Sequence, residues 1–206
     1  MTPIERYGVE TPEVNKPLRA DARRNRARVL AAAEAVFAAE GVGASTEAVA
    51  KRAGVGIGTV FRHFPTKEAL LEAVLVERMR ALVEHARSAS QDGDAGVALF
   101  GFLEHVIEQS ATKNAFADAL SGAGVDVTQV VGDVRGELLA AIDVLASRAQ
   151  AAGALRRDVG AAEVIAVLVG ASHAAMWAPD AKTRSTAVGV ILDGLRPGGP
   201  RKDGLR

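Results

Sequence analysis

Apolar residues recur along this chain at helical spacing, and the intervals between them are short and rich in glycine. Val29, Ala33, Val36 and Phe37 fall at i, i+4, i+7 and i+8, which predicts a helix over 23–40 with a stop at Gly41. Ser45 and Thr46 supply an N-cap for a second helix whose Val49, Ala50 and Ala53 share a face and which ends at Gly54. A third, short helix is expected to carry Val60, Phe61 and Phe64 inward and to stop before Pro65. With Thr66 as cap and Glu68 in the first turn, a fourth runs through Leu71, Leu75, Met79, Leu82, Val83 and Ala86.

The polar stretch 88–96 breaks the pattern. Beyond it the spacing predicts helices over 95–111, 114–121, 127–152, 160–177 and 181–195, punctuated by Gly153, Pro179 and Pro197. Alternating strand patterns are almost absent, and alanine, the best helix former, is abundant. The expected fold class is all-α. The expected division is an arm over 1–20, a helix-turn-helix domain over 21–67, a helical domain over 68–196 and a disordered tail over 197–206.

Composition narrows the function classes. Of 206 residues, 49% are hydrophobic, enough for a real core, and none is cysteine, which removes disulfides, thiolate metal sites and cysteine nucleophiles. No apolar run approaches the roughly 20 residues of a membrane span, and the N-terminus has no apolar signal core, so the expected address is the cytoplasm and no membrane partner is expected. Net charge is zero but unevenly spread: residues 1–67 hold 11 Lys/Arg against 7 Asp/Glu, and the remainder holds 14 against 18. Lys16, Arg19, Arg23, Arg24, Arg26 and Arg28 are opposed in their own stretch only by Asp21. That run suits either an anionic partner or a solvated helix end.

The run 54–58, Gly-Val-Gly-Ile-Gly, is not a nucleotide loop, because Thr59 stands where a third glycine is needed and a helix, not a strand, precedes it. Between two short helices the same glycines make a turn. Gly54 permits the left-handed backbone that ends one helix, and Gly58 lets the start of the next approach a phosphate closely. Thr59 can donate to phosphate, and Arg62 projects opposite the apolar face with the shape that grips guanine O6 and N7. His63 can reach phosphate or a base edge, and Lys67 can neutralise backbone charge.

Taken together, Ala32-Ala33, Phe37, Gly41, Thr46, Val49-Ala50, Ala53-Gly54-Val55, Gly58-Thr59-Val60-Phe61, His63-Phe64, Lys67 and Leu70-Leu71 resemble the DNA-binding domain of the TetR family of transcriptional regulators, over about 45 residues in order and spacing. The resemblance implies phosphate roles for Thr46, Thr59, His63 and Lys67, base readout by Arg62, and close approach at Gly58. Gly56 stands where the family often has a capping Ser or Thr, and Phe61 where it often has Tyr, so a cap and a phosphate hydroxyl are missing. The basic run 16–28 is expected either to reach phosphates or an adjacent minor groove, or to be a solubilising tail. For the larger helical part, the resemblance implies a dimer interface and an apolar effector pocket.

For that pocket the candidate lining is Phe102, His105, Val106, Phe116, Leu139, His173 and Trp177, an apolar set with sparse polar groups that suits a small apolar or amphipathic effector. The competing expectation for each is ordinary core. Segment 160–177 is apolar on most sides and rich in small residues, and with 181–195 it suits a four-helix interface between two copies. His63, His85, His105 and His173 form no metal-ligand pattern, no nucleophile elbow occurs, and no catalytic residue or cofactor is expected. The expectation is a homodimeric repressor released from a palindromic double-stranded operator by a small molecule. Open alternatives are a regulator without such an effector (an activator, or one controlled by a protein partner) and, more remotely, a helical ligand-binding protein with a vestigial helix-turn-helix.

Overall fold

The computed structural model describes residues 16–91 and 93–198, with the backbone alone at 16–19 and 111–113. Of the expected arm over 1–20, residues 1–15 lie outside the described residues and 16–20 are helical, and of the expected tail over 197–206, residues 199–206 lie outside them. Among the described residues all regular structure is helical, and the chain divides into two compact units at Lys67 and Glu68.

The first unit is built from α1 (Lys16–Glu40), α2 (Thr46–Ala53) and α3 (Ile57–His63), which pack pairwise against one another. α1 begins seven residues before the expected start. Pro17 sits in its first turn, where the missing N–H has no intrahelical partner to lose, and neither Gly nor Pro interrupts the chain from there to Gly41. Val29, Ala33, Val36 and Phe37 of α1, Val49 and Ala50 of α2, and Val60 and Phe64 of α3 are all buried. Truncating a buried ring such as Phe64 to alanine costs about 3–5 kcal/mol, a large share of what a small domain has.

The connections between these helices follow from their caps. The Ser45 hydroxyl accepts from the Ala48 N–H at 3.1 Å and opens α2. Gly54, at φ +64°, closes it: its N–H donates to the Lys51 carbonyl at 3.2 Å, and the Val55 N–H donates to Ala50 at 3.1 Å. This paired closure needs a left-handed residue, which glycine adopts without a Cβ penalty. α3 opens at Gly56 with no side-chain cap and closes with the Phe64 N–H on the Val60 carbonyl at 2.8 Å, ahead of Pro65.

The second unit comprises α4 (Lys67–Ala89), whose first residue is the last of the first unit, α5 (Ala95–Gly122), α6 (Val127–Val130), α7 (Gly132–Ala151), α8 (Ala161–Trp177) and α9 (Ala181–Asp193). α5 packs on α7 and α8, α7 on α8, and α8 on α9. Leu99, Phe102, Leu103, Ile142, Leu145, Leu155 and Val164 fill the middle, with Ala86, Ala146, Ala149 and Ala171 letting backbones approach. At Gly96 a Cβ would lie 2.9 Å from the Ala154 Cβ, closer than side chains pack.

Two boundaries differ from expectation. The segments 95–111 and 114–121 form one 28-residue helix, because no glycine or proline occurs between Gly101 and Gly122. Conversely, 127–152 is two helices, broken at Val131 ahead of Gly132, the poorest non-proline helix former. Asp126 opens the short α6 by accepting from the Thr128 N–H at 3.0 Å and its hydroxyl at 2.6 Å. Those bonds, the hydroxyl's foremost, hold its carboxyl below the usual range.

Candidate functional site

On the first unit, α3 presents two different faces. Val60 and Phe64, one turn apart, are fully buried, while Ile57, Gly58, Phe61 and Arg62 are exposed. The exposed four fall at i, i+1, i+4 and i+5, a single stripe. The expectation that Phe61 points inward is therefore corrected: its side chain is 43% exposed. A helix of seven residues resting on α1 and α2 buries one narrow stripe, and Phe61 lies about 100° around the axis from Val60. Arg62 projects away from Val60 and Phe64, as expected, but shares its exposed stripe with Phe61 instead of lying opposite it.

The other expected contact residues occupy distinct positions. Thr59 and His63 are half-buried on the flank of α3. Thr46, also half-buried, is the first helical residue of α2, while Ser45 supplies the cap. Lys67 is committed within its own unit: its Nζ donates to the Gly43 carbonyl at 3.1 Å and stands 6.0 Å from the Phe37 ring centre. Two of its three donors remain for another acceptor. Gly56 caps α3 with backbone alone, so the missing side-chain cap expected from the sequence is a feature of the fold.

The basic run is helical over its whole described length. Arg24 pairs with Asp21, Arg28 Nη2 donates to Asn25 at 2.9 Å, and the Arg26 guanidinium lies 5.0 Å from the Phe64 ring centre. Residues 16–28 thus form the first turns of α1. Sequence reasoning passed over Ile57 on the exposed stripe of α3 and the exposed pair Lys51 and Arg52 in the last turn of α2. Their position at a helix C-terminus, where cations are favoured, was the available signal.

On the second unit, a cavity of about 870 Å³ opens between α5, α8 and α9. Ile107, Ser110, Met176 and Val188 contribute to its wall, with Glu104, Glu108 and Arg184 bringing charge. Arg184 Nε donates to the Ala175 carbonyl at 3.1 Å, near the C-terminus of α8. None of the seven residues expected to line a pocket lines this one. Phe102, Val106 and Phe116 are packed core. The His105 ring centre lies 4.4 Å from that of His85, with the two planes tilted by 31°. Leu139 is 43% exposed, His173 is exposed with Nδ1 2.9 Å from the Val169 carbonyl, and Trp177 is 86% exposed. The apolar stripes that suggested a pocket wall close on each other instead, and the space opens where charged residues interrupt apolar ones.

The outer face of α8 is apolar and uncovered. Ala162, Ala166, Val169, Gly170, His173 and Trp177 are exposed at helical spacing, and Val190 of α9 is 69% exposed. Among the described residues no three His, Cys, Asp or Glu side chains cluster to hold a metal, and no helix is long and apolar enough to cross a membrane.

Comparison with known proteins gives this geometry its setting. Residues 29–74 match the family described as bacterial regulatory proteins, tetR family, and residues 94–197 match the C-terminal domain of SbtR-like transcriptional regulators. A TetR transcription regulatory protein from Mycobacterium vanbaalenii is 43% identical, covering 87% of this chain and 99% of its own, with a TM-score of 0.71. A TetR transcriptional regulator from Streptomyces coelicolor is 33% identical over 84% of this chain and 99% of its own, with a TM-score of 0.67. An HTH-type transcriptional regulator of Staphylococcus aureus is 34% identical over 76 residues, a stretch that spans 36% of this chain and 41% of that regulator. The chain belongs to the TetR family of transcriptional regulators, and its first unit is that family's DNA-binding helix-turn-helix.

Proposed function

We propose that the protein is a homodimeric repressor, acting in the cytoplasm, that leaves a palindromic operator when a small molecule binds its second unit. The observation that carries the reading is the exposed stripe of α3, with Gly58 and Arg62 turned away from a core held by Val60 and Phe64. In this reading α3 enters the major groove, Arg62 grips a guanine, and Thr46, Thr59, His63 and the remaining donors of Lys67 hold phosphates. The uncovered face of α8 and α9 meets the same face of a second copy, so that a dimer offers one α3 to each half-site of a two-fold operator.

Release needs a ligand that prefers one dimer geometry. A near-complete reversal of occupancy requires a preference of about 5.5 kcal/mol. The cavity beside Met176 and Val188 falls within the usual span of small-molecule sites and has both apolar wall and charged groups. Sequence selection from random duplex DNA with the purified full chain tests the reading: a two-fold symmetric site should be enriched. Enrichment of no site, or of an asymmetric one, would overturn it.

A further inference from the structure

We infer that Ile57 and Phe61 read pyrimidine C5-methyl groups in the major groove, making thymine a specificity determinant beside the guanine gripped by Arg62. The starting observation is the 36% exposure of Ile57 and the 43% exposure of Phe61, on a surface helix of seven residues with no acidic group. Both sit on the stripe that also carries Arg62, so the surface that offers a cation to DNA offers two apolar groups with it. A phenyl ring has no hydroxyl to give a phosphate, and leaving it in water forfeits the gain from burying it. In the major groove the one apolar feature of a base edge is the thymine methyl group.

The spacing agrees with this occupant. Ile57 and Phe61 are separated by four residues, about 6 Å along the helix axis. Two base-pair steps span about 6.8 Å. A helix lying along the groove therefore brings the two side chains against methyl groups about two steps apart. Gly58, between them, would carry a Cβ that meets no atom within 4 Å, so its lack of a side chain leaves open space between the two apolar contacts. The inference rests on α3 being the reading element, and the test separates the two ideas.

The operator selected by the full chain is remade with deoxyuridine in place of thymidine, one position at a time, which removes a methyl group and keeps every hydrogen bond. Binding is followed by fluorescence anisotropy. At two positions of each half-site the loss should be about fourfold, the factor expected from 0.8 kcal/mol for one buried methylene-sized group. The loss at one position should disappear in Phe61→Ala, persist in Phe61→Tyr, which keeps the ring, and at the other position disappear in Ile57→Ala. The tyrosine variant also guards against a folding defect in the alanine one. Deoxyuridine tolerated within twofold everywhere by the unmodified protein, or an unchanged penalty in Phe61→Ala, overturns the inference. Arg62→Ala tells the two failures apart. Lost selectivity with no uridine penalty leaves α3 as the reader without methyl contacts, and retained selectivity removes α3 from the site altogether.

Discussion

Among the described residues, two of the surfaces that expose large apolar side chains have different neighbours. On α3, Ile57 and Phe61 sit beside Arg62 on a helix without a carboxylate. On α8, Val169 and Trp177 share their exposed stripe with Ala162, Ala166 and Gly170, with Glu163 at its N-terminal edge, and Val190 is exposed on α9. An apolar patch ringed by a cation suits a polyanion with local apolar features. A patch ringed by small residues lets two backbones approach and suits a copy of itself. Exposure alone names neither partner; the chemistry of the neighbours does.

The comparison breaks most visibly at Trp177. Placing a carboxylate in the proposed self-complementary face, as Val169→Glu with Trp177→Glu, buries like charges against each other in both copies. The dimer should fall apart at micromolar concentration in sedimentation equilibrium, and operator affinity should drop by at least about a hundredfold as the second half-site is lost. A double variant that remains dimeric removes the face from the interface. Next in size is Arg62→Ala, which should leave the dimer intact and cost about 1–3 kcal/mol per half-site in discrimination against the wrong base. Binding isotherms on the selected operator and on a scrambled duplex read that difference directly.

What the sequence made legible follows the same division. The helix-turn-helix was readable because its elements are punctuated by residues with one physical meaning: Ser45 caps, Gly54 takes a positive φ, and Pro65 stops. The side to which Phe61 turns was not readable, since period 3.6 over seven residues leaves a residue 100° from the core centre free to fall either way. In the second unit, periodicity found the helices but not the space between them. Phe102, Val106 and Phe116 had the same pattern as a pocket wall and turned out to be core. The cavity depends instead on the space left between α5, α8 and α9, where Met176 and Val188 stand with Glu104, Glu108 and Arg184. That space is a tertiary property, set by side-chain volumes many residues apart, and no local pattern encodes it.

A third substitution separates the two faces of α9. Gly189 lines the cavity, and a Cβ there meets no atom within 4 Å, whereas Val190 next to it lies on the outer face. Gly189→Leu should fill part of the cavity while gaining up to about 1 kcal/mol of helix propensity. The melting temperature should hold or rise, dimerisation and operator binding should persist, and any small molecule that shifts the melting of the unmodified protein should lose that effect. Loss of operator binding in this variant would mean that filling the cavity is by itself enough to bring about release.

The smallest effect concerns the residue that starts α9 and so orients both faces. Asp180 accepts from the Thr183 N–H at 2.8 Å and from its hydroxyl at 3.0 Å. The backbone bond is the main cause, and the hydroxyl and the charge of Arg184 add to it, in holding the Asp180 carboxyl below its usual range. A carboxyl that is more acidic when folded binds its proton more readily in the unfolded chain, so its contribution is complete above the unfolded pKa of about 3.9 and fades as pH falls through the folded one. Asp180→Ala should therefore lower the melting temperature by a small, constant amount across neutral pH. Below about pH 4 the two melting curves should converge, because the native carboxylate is then being protonated and loses the cap that the variant never had. A gap that stays the same width down to the acid limit would show that Asp180 contributes through packing and not through its charge.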